Sequence, residues 1–82
     1  MVTPTVHLNG TSRQALLEGY VAAARAVREA MEAVQAAAPN ARDYYVQGPA
    51  EWGLAQKEHR ARLEKLEEVR AELEALAEEV AS

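Results

Sequence analysis

The chain has 82 residues, no cysteine and a net charge of −4, which leaves room for one small domain and excludes disulfides and thiolate metal sites. Residues 1–49 carry four basic and four acidic side chains, whereas residues 50–82 carry five basic and nine acidic ones. An acidic chain without a basic stripe is a poor partner for nucleic acid, because neutralised phosphates supply most of that affinity. No apolar run approaches the roughly 18 residues of a membrane helix, and the first ten residues lack the basic start of a signal peptide. We therefore expect a soluble cytoplasmic protein that binds neither nucleic acid nor membrane.

Residues 1–10 are predicted to form a short extended arm that leads into a turn. Val6 and Leu8 alternate with polar neighbours, and the Asn9-Gly10 pair is typical of a turn. Thr11 and Gln14 then have the spacing of a capping box, in which a hydroxyl and an amide three residues later satisfy the first N–H groups of a helix. The pattern predicts that a helix begins at about residue 11.

The first helix is predicted over residues 11–38, because Pro39 lacks an N–H group and disfavours helical geometry just before it. Its apolar residues recur at alternating spacings of four and three, and they form a seam for a second helix: Leu16, Tyr20, Ala23, Val27, Ala30, Val34 and Ala37. A second stripe lies beside this seam: Leu17, Val21, Ala24 and Met31. Two adjacent stripes make a face wider than one partner helix needs, so the second stripe predicts an interface with another copy.

The second helix is predicted over residues 50–80, after a connection of residues 39–49 that ends in a helix-starting proline. Its seam is Trp52, Ala55, His59, Arg62, Leu66, Val69, Leu73, Leu76 and Val80. The short connection favours an all-α antiparallel two-helix hairpin, with Leu16 near Leu73 and with Val6 or Leu8 covering Leu76 and Val80. Because a single domain of this size is marginally stable alone, we expect a homodimer or a higher even oligomer that forms a helical bundle.

The connection concentrates groups that are suited to recognition: Asn40, Arg42, Asp43, Tyr44, Tyr45 and Gln47. A guanidinium fork, a carboxylate, amides and two flat rings suit the base, ribose or phosphate of a nucleotide. The same segment also suits a plain turn, in which Tyr44, Tyr45 and Trp52 plug the end of the bundle while Asn40 and Asp43 satisfy backbone groups. Both interpretations stay open at the level of sequence.

Two further segments are candidate parts of a ligand site. The turn before the first helix offers helix N-terminal N–H groups, hydroxyls and a guanidinium to an anion, from Asn9, Gly10, Thr11, Ser12 and Arg13. His59 and Arg62 interrupt an apolar seam and can form the floor of the pocket that holds Arg42 and Tyr45. Their ordinary alternatives are a capped turn and a polar position that sets register or meets solvent. No nucleophile, metal-ligand or cofactor motif accompanies them, so we predict no enzyme, metal or cofactor.

The turn and the connection are predicted to lie at opposite ends of one hairpin, about 40 Å apart. They can therefore share a small ligand only if two hairpins pair antiparallel and the turn of one copy meets the connection of the other. Two-fold symmetry then predicts two equivalent composite sites.

Three motifs follow one another in the chain: His7-Leu8-Asn9-Gly10-Thr11-Ser12, Pro39-Asn40-Ala41-Arg42-Asp43-Tyr44-Tyr45, and Glu58-His59-Arg60 before a charged, leucine-rich helix. With them the chain resembles, over most of its length, a family of small uncharacterised bacteriophage proteins, which implies a phage origin. Its architecture is also similar to small helical-hairpin phage proteins that oligomerise and sequester the nucleotide signals of bacterial immunity, such as cyclic dinucleotides or cyclic ADP-ribose variants. That similarity implies an anti-defence protein that captures a small anionic nucleotide, without cleaving it, in the cytoplasm of the infected host. The alternative is a structural or adaptor helical phage protein that binds a host or virion protein.

Overall fold

The structure is a computed structural model that describes all 82 residues, and two long helices packed side by side dominate it. Helix α1 spans Arg13–Ala36 and helix α2 spans Pro49–Ala81, with one 3-10 turn at Ala41–Tyr44 in the connection between them. The molecule measures 62 × 20 × 18 Å. The predicted all-α helical hairpin is confirmed.

The start of α1 is set by Ser12. Its Oγ accepts a hydrogen bond of 3.1 Å from the amide of Ala15, which makes Ser12 the N-cap and starts the helix two residues later than predicted. Gln14 donates from Nε2 to Oε1 of Glu18 at 2.7 Å. The amide of Gln14 is therefore turned along the helix, and the capping hydroxyl is that of Ser12, so neither half of the predicted Thr11–Gln14 capping box is present.

The end of α1 is set by Pro39. The N–H group of Ala37 donates to the carbonyls of both Ala33 and Val34, at 3.1 Å each, which tightens the last turn. Because the residue before a proline is restricted to extended geometry, the helix stops at Ala36 rather than continuing to residue 38.

Capping by Ser12 gives a direct test of how α1 starts. Ser12→Ala should lower the free energy of unfolding by about 1 kcal/mol, because the amide of Ala15 loses its side-chain acceptor. Thr11→Ala is the matched control, since Thr11 lies outside the helix. Urea denaturation of both variants checks this, and equal stability of the two would contradict Ser12 as the cap.

Arg28 and Glu74 show how the two helices are aligned. The guanidinium of Arg28 lies 3.6 Å from the carboxylate of Glu74. Antiparallel helices advance by the same 1.5 Å per residue in opposite directions, so twelve residues before Arg28 on α1 correspond to twelve residues after Glu74 on α2. Leu16 therefore lies opposite a point beyond the last residue of the chain. The prediction that Leu16 lies near Leu73 is wrong. It assumed that the chain reverses at once after α1, whereas the connection runs along α2.

The same alignment leaves the first part of α2 without a partner from α1. Ala36, the last residue of α1, lies opposite Leu66, so residues 49–64 extend past α1 by about 24 Å. We call residues 49–64 the overhang. The face of α2 that packs on α1 continues into the overhang as a row of half-buried residues: Trp52, Ala55, His59 and Leu63. There the connection covers it in place of α1, with the Tyr44 ring centroid 5.7 Å from that of Trp52.

The interface between α1 and α2 is narrow, and only Ala24, Ala77 and Val80 are buried. Part of the stripe predicted to face another copy is used inside the hairpin, since Ala24 is buried and Leu17 and Met31 are half-buried. Small residues at the contact let the two backbones approach closely, which draws the flanking side chains into the same interface.

The seam of α2 differs from the predicted one at two positions. Arg62 and Val69 are exposed, while Leu63 and Arg70, one residue further along, are half-buried. A straight helix of 3.6 residues per turn drifts away from a strict seven-residue repeat, so the contact face moves by one residue along α2.

The N-terminal arm does not cover the open end with Leu8, which is 98% exposed. That part of the prediction is wrong. The backbone amide of Gly10 donates a hydrogen bond of 3.1 Å to the carbonyl of His7. This bond closes a turn that directs Leu8 outward.

Charged side chains bridge the outer edge of the interface. The Arg70 guanidinium donates to the carboxylates of Glu67 and Glu74, and Glu74 also meets Arg28. The hydrogen bond from Arg70 holds the pKa of Glu67 below its ordinary value. This network ties the third turn from the end of α2 to the middle of α1.

Candidate functional site

Asn40 organises the connection between the helices. Its Oδ1 accepts hydrogen bonds from the backbone amide of Arg42 at 3.0 Å and from Nε of Arg42 at 3.3 Å. Its carbonyl accepts from the amide of Asp43 at 3.0 Å, which starts the 3-10 turn. Asn40 therefore fixes both the backbone of this turn and the base of the Arg42 side chain.

Gly48 redirects the chain from the connection into α2. The carbonyl of Tyr44 accepts from the amides of Gln47 and Gly48, and Gly48 then adopts φ 106° and ψ 172°, a region that essentially only glycine occupies. Pro49 follows as the first residue of α2, with its φ already suited to a helix. These two residues place the first turn of α2 directly against the 3-10 turn.

An aromatic cleft lies between the 3-10 turn and the start of α2. Its volume is about 260 Å³, and it is lined by Ala41, Tyr44, Tyr45, Gly48, Pro49 and Trp52. The rings of Tyr44 and Trp52 are tilted by 41° at a centroid distance of 5.7 Å, which is within the distance range of favourable aromatic pairs. Tyr44 and Trp52 are half-buried, whereas Tyr45 is 74% exposed at the mouth. The cleft therefore offers carbon surface and the faces of rings.

The polar residues predicted for this site lie outside the cleft lining. A 3-10 helix has three residues per turn, so Ala41 and Tyr44 share the cleft side while Arg42 and Asp43 point to the other two sides. Both are exposed, as is Gln47. The two tyrosines enter the cleft as the ligand interpretation required, and the charged groups remain beside it.

Trp52 is the main residue of the cleft that the predicted ligand set did not contain. It is the single tryptophan of the chain and lies four residues after Gly48, on the same side of α2 as the packed seam. The sequence signal for Trp52 is its position one turn after the glycine–proline start of α2. A residue there can pack against the loop that precedes the helix. Ala41, Gly48 and Pro49 complete the lining by backbone and small side chains, for which the sequence carries no separate signal.

His59 and Arg62 are not among the residues that line the cleft. His59 is half-buried two helical turns beyond Trp52, about 10 Å further along α2. Arg62 is exposed and lies 3.6 Å from Glu58 on the same helix. Neither residue forms a floor to the aromatic cleft.

The turn before α1 lies at the other end of the helix from the cleft, since the 24 residues of α1 separate them by about 36 Å. The imidazole of His7 lies over Gly10, where an added Cβ would come within 2.6 Å of Nε2. The hydroxyl of Ser12 is already used in capping. Asn9, Thr11 and Arg13 are exposed around this turn. His7 thus covers Gly10, and the Ser12 hydroxyl is paired with the amide of Ala15.

No helix of the structure has the length and apolar character needed to cross a membrane. No three histidine, aspartate or glutamate side chains come together in a way that would hold a metal ion. No family model, curated protein or solved structure matches the chain.

Proposed function

We propose that the protein is a non-catalytic binding protein whose aromatic cleft holds the flat ring of a small nucleotide. The observation that carries this proposal is the convergence of Tyr44, Tyr45 and Trp52 on one 260 Å³ cleft. Every nucleobase has a π-face, and stacking on an aromatic side chain contributes about 1–3 kcal/mol per base. Sites for whole drug-sized ligands span roughly 300–1,000 Å³, so this cleft suits one ring system, with the remainder of the ligand outside.

The groups beside the cleft favour a ligand of low negative charge. Arg42 extends from the 3-10 turn, and the first turn of α2 has no side-chain cap, which leaves the amides of Ala50 and Glu51 free to meet an anion. The carboxylates of Asp43 in the 3-10 turn and of Glu51 in the first turn of α2 oppose that attraction. One phosphodiester charge suits this balance better than a triphosphate does, and this supports a cyclic nucleotide as the ligand class.

The biological role in this proposal is phage anti-defence, in which the protein sequesters a cyclic nucleotide signal of bacterial immunity in the host cytoplasm. The resemblance of the chain to small phage proteins supports the phage origin, and its helical-hairpin architecture supports the comparison with nucleotide-sequestering phage proteins. The cleft lining is suited to holding a ring rather than to breaking a bond, because it supplies carbon surface and two phenols.

The fluorescence of Trp52 tests the proposal, because it is the single tryptophan and it lines the cleft. Titration with cyclic mononucleotides, cyclic dinucleotides, cyclic ADP-ribose and ATP should give saturable quenching, strongest for a cyclic ligand. Tyr45→Ala should weaken that binding by about tenfold or more, since one stacking face is lost. The matched control is Val46→Ala, because Val46 is fully exposed next to Tyr45 and lies outside the cleft lining. Absence of quenching by every ligand at millimolar concentration would overturn the proposal.

A second candidate function is that of an adaptor that binds a host or virion protein. It is favoured by the exposure of Val46 beside Tyr45, since neighbouring exposed apolar side chains outside a cleft are typical of a protein contact. The same two variants separate the candidates. A protein contact should be weakened by both Tyr45→Ala and Val46→Ala, whereas a stacked nucleotide should respond to Tyr45→Ala alone.

A further inference from the structure

The outer face of the overhang has no partner inside the hairpin. Leu54 lies about 200° around α2 from Trp52 and Ala61 about 180°, so both are on the side opposite the connection. Leu54 is 49% exposed and Ala61 is half-buried, and Lys57 and Glu58 flank the line from Leu54 to Ala61. This face, which we define as Leu54, Lys57, Glu58 and Ala61, is a short apolar strip between one basic and one acidic residue.

The surface of the whole molecule is larger than that of a compact monomer. The accessible area is 6107 Å² for a mass of 9.0 kDa. A compact monomer of that mass exposes about 4,850 Å². The excess of about 1,250 Å² exceeds the roughly 800 Å² that each partner buries in a standard protein interface. This excess is spread over an elongated molecule, and the outer face of the overhang is one of the surfaces that contribute to it, with the N-terminal arm and the connection.

The charges of α2 are divided between its two parts. The overhang contains three basic residues and three acidic residues, and is therefore neutral. Residues 65–81 contain two basic and six acidic residues, a net charge of −4 that equals the net charge of the chain. Contact through the overhang brings neutral surfaces together, whereas contact along residues 65–81 would bring two acidic surfaces together.

We propose that two copies of the chain form an antiparallel dimer through the outer faces of their overhangs, with the two-fold axis between positions 57 and 58. In this arrangement Leu54 of each copy packs on the small Ala61 of the other, and Lys57 of each copy faces Glu58 of the other. The two acidic parts of α2 point in opposite directions. A parallel pair would place them side by side and would match Lys57 with Lys57, so it is disfavoured.

The dimer is independent of the aromatic cleft. Trp52 and the connection lie on the opposite side of α2, so both clefts stay open to solvent. The turns before α1 lie at the two far ends, so this dimer does not build the composite sites predicted from sequence. Those sites require the hairpins to overlap along their full length.

Sedimentation equilibrium of the full chain tests the interface. The mass should be twice 9.0 kDa at micromolar concentration. Leu54→Lys should shift the mass to that of one chain, because it adds a third charge to the strip and places it against Ala61. Val69→Lys is the matched control and should remain a dimer, because Val69 is 45% exposed on α2 but lies outside the overhang. A monomeric parent chain, or a dimeric Leu54→Lys variant, would overturn the proposal, and circular dichroism confirms that both variants fold.

Single cysteines test the orientation, and the chain has no cysteine of its own to interfere. Lys57→Cys lies beside the proposed axis and should cross-link to its own copy with a short bismaleimide. Ser82→Cys lies at the far end of α2 and should not. Cross-linking of both variants would show a parallel pair, because a parallel pair brings each position next to its own copy. Cross-linking of neither would contradict contact through the overhang.

Discussion

Replacing Trp52 by alanine should lower the free energy of unfolding by roughly 2 kcal/mol and remove one wall of the aromatic cleft. Truncation of a fully buried tryptophan costs about 3–5 kcal/mol, and the half-buried indole of Trp52 should lose about half of that. The loss is large for a domain of this size, because its whole stability is of the order of 5–15 kcal/mol. Urea denaturation followed by circular dichroism measures it without relying on the tryptophan signal.

Two variants serve as controls for Trp52→Ala. Trp52→Phe keeps a ring beside Tyr44 and should retain most of the stability. Val69→Ala removes a half-exposed apolar side chain from the same helix, outside the overhang and the proposed dimer contact, and should cost less than Trp52→Ala. An unfolding curve of Trp52→Ala equal to that of the parent would show that the connection is not held by the indole ring.

The helical elements could be predicted from the sequence because their signals are local. Pro39 ends α1 wherever the helices lie relative to each other, and Pro49 suits the first turn of α2 in the same way. The alternating spacing of apolar residues likewise reports a helix that buries one face. Each boundary is displaced by only one or two residues, and the reason is again local, as with the cap at Ser12.

The alignment of the helices could not be predicted, because it depends on how the connection packs. A connection of this length fits either an immediate reversal or a path along α2. Packing of Tyr44 on Trp52 and the backbone of Gly48 select the second path, and neither is visible as a periodic pattern. The displaced alignment then creates the overhang, so the surface that we propose for dimerisation was also beyond sequence analysis.

The site was predicted in part for a related reason. The two tyrosines marked the right segment, but the orientation of its polar residues depends on whether the connection is an open turn or a 3-10 helix. Once Ala41 and Tyr44 share a side, Arg42 must point elsewhere. Residue types left both a polar nucleotide pocket and a plain aromatic plug open, whereas the geometry shows an apolar cleft with charges at its edge.

Alanine substitutions at Gly48 and Gly53 should have effects of opposite sign. Gly48 has a positive φ and an added Cβ would meet nothing within 4 Å, so Gly48→Ala tests backbone strain alone and should cost about 1–3 kcal/mol. Gly53 lies within α2 and also has open space around its Cα, so Gly53→Ala should stabilise by roughly 0.5–1 kcal/mol. Because a change of 1 kcal/mol shifts Tm by about 4–8 °C in a domain of this size, the two melting curves should lie on opposite sides of the parent curve.

Gly48→Ala should also weaken quenching of Trp52 by the ligand, since Gly48 sets the angle between the 3-10 turn and α2, whereas Gly53→Ala should leave it unchanged. Equal stability of the two variants would mean that α2 can start without the positive φ of Gly48, on which the shape of the cleft depends.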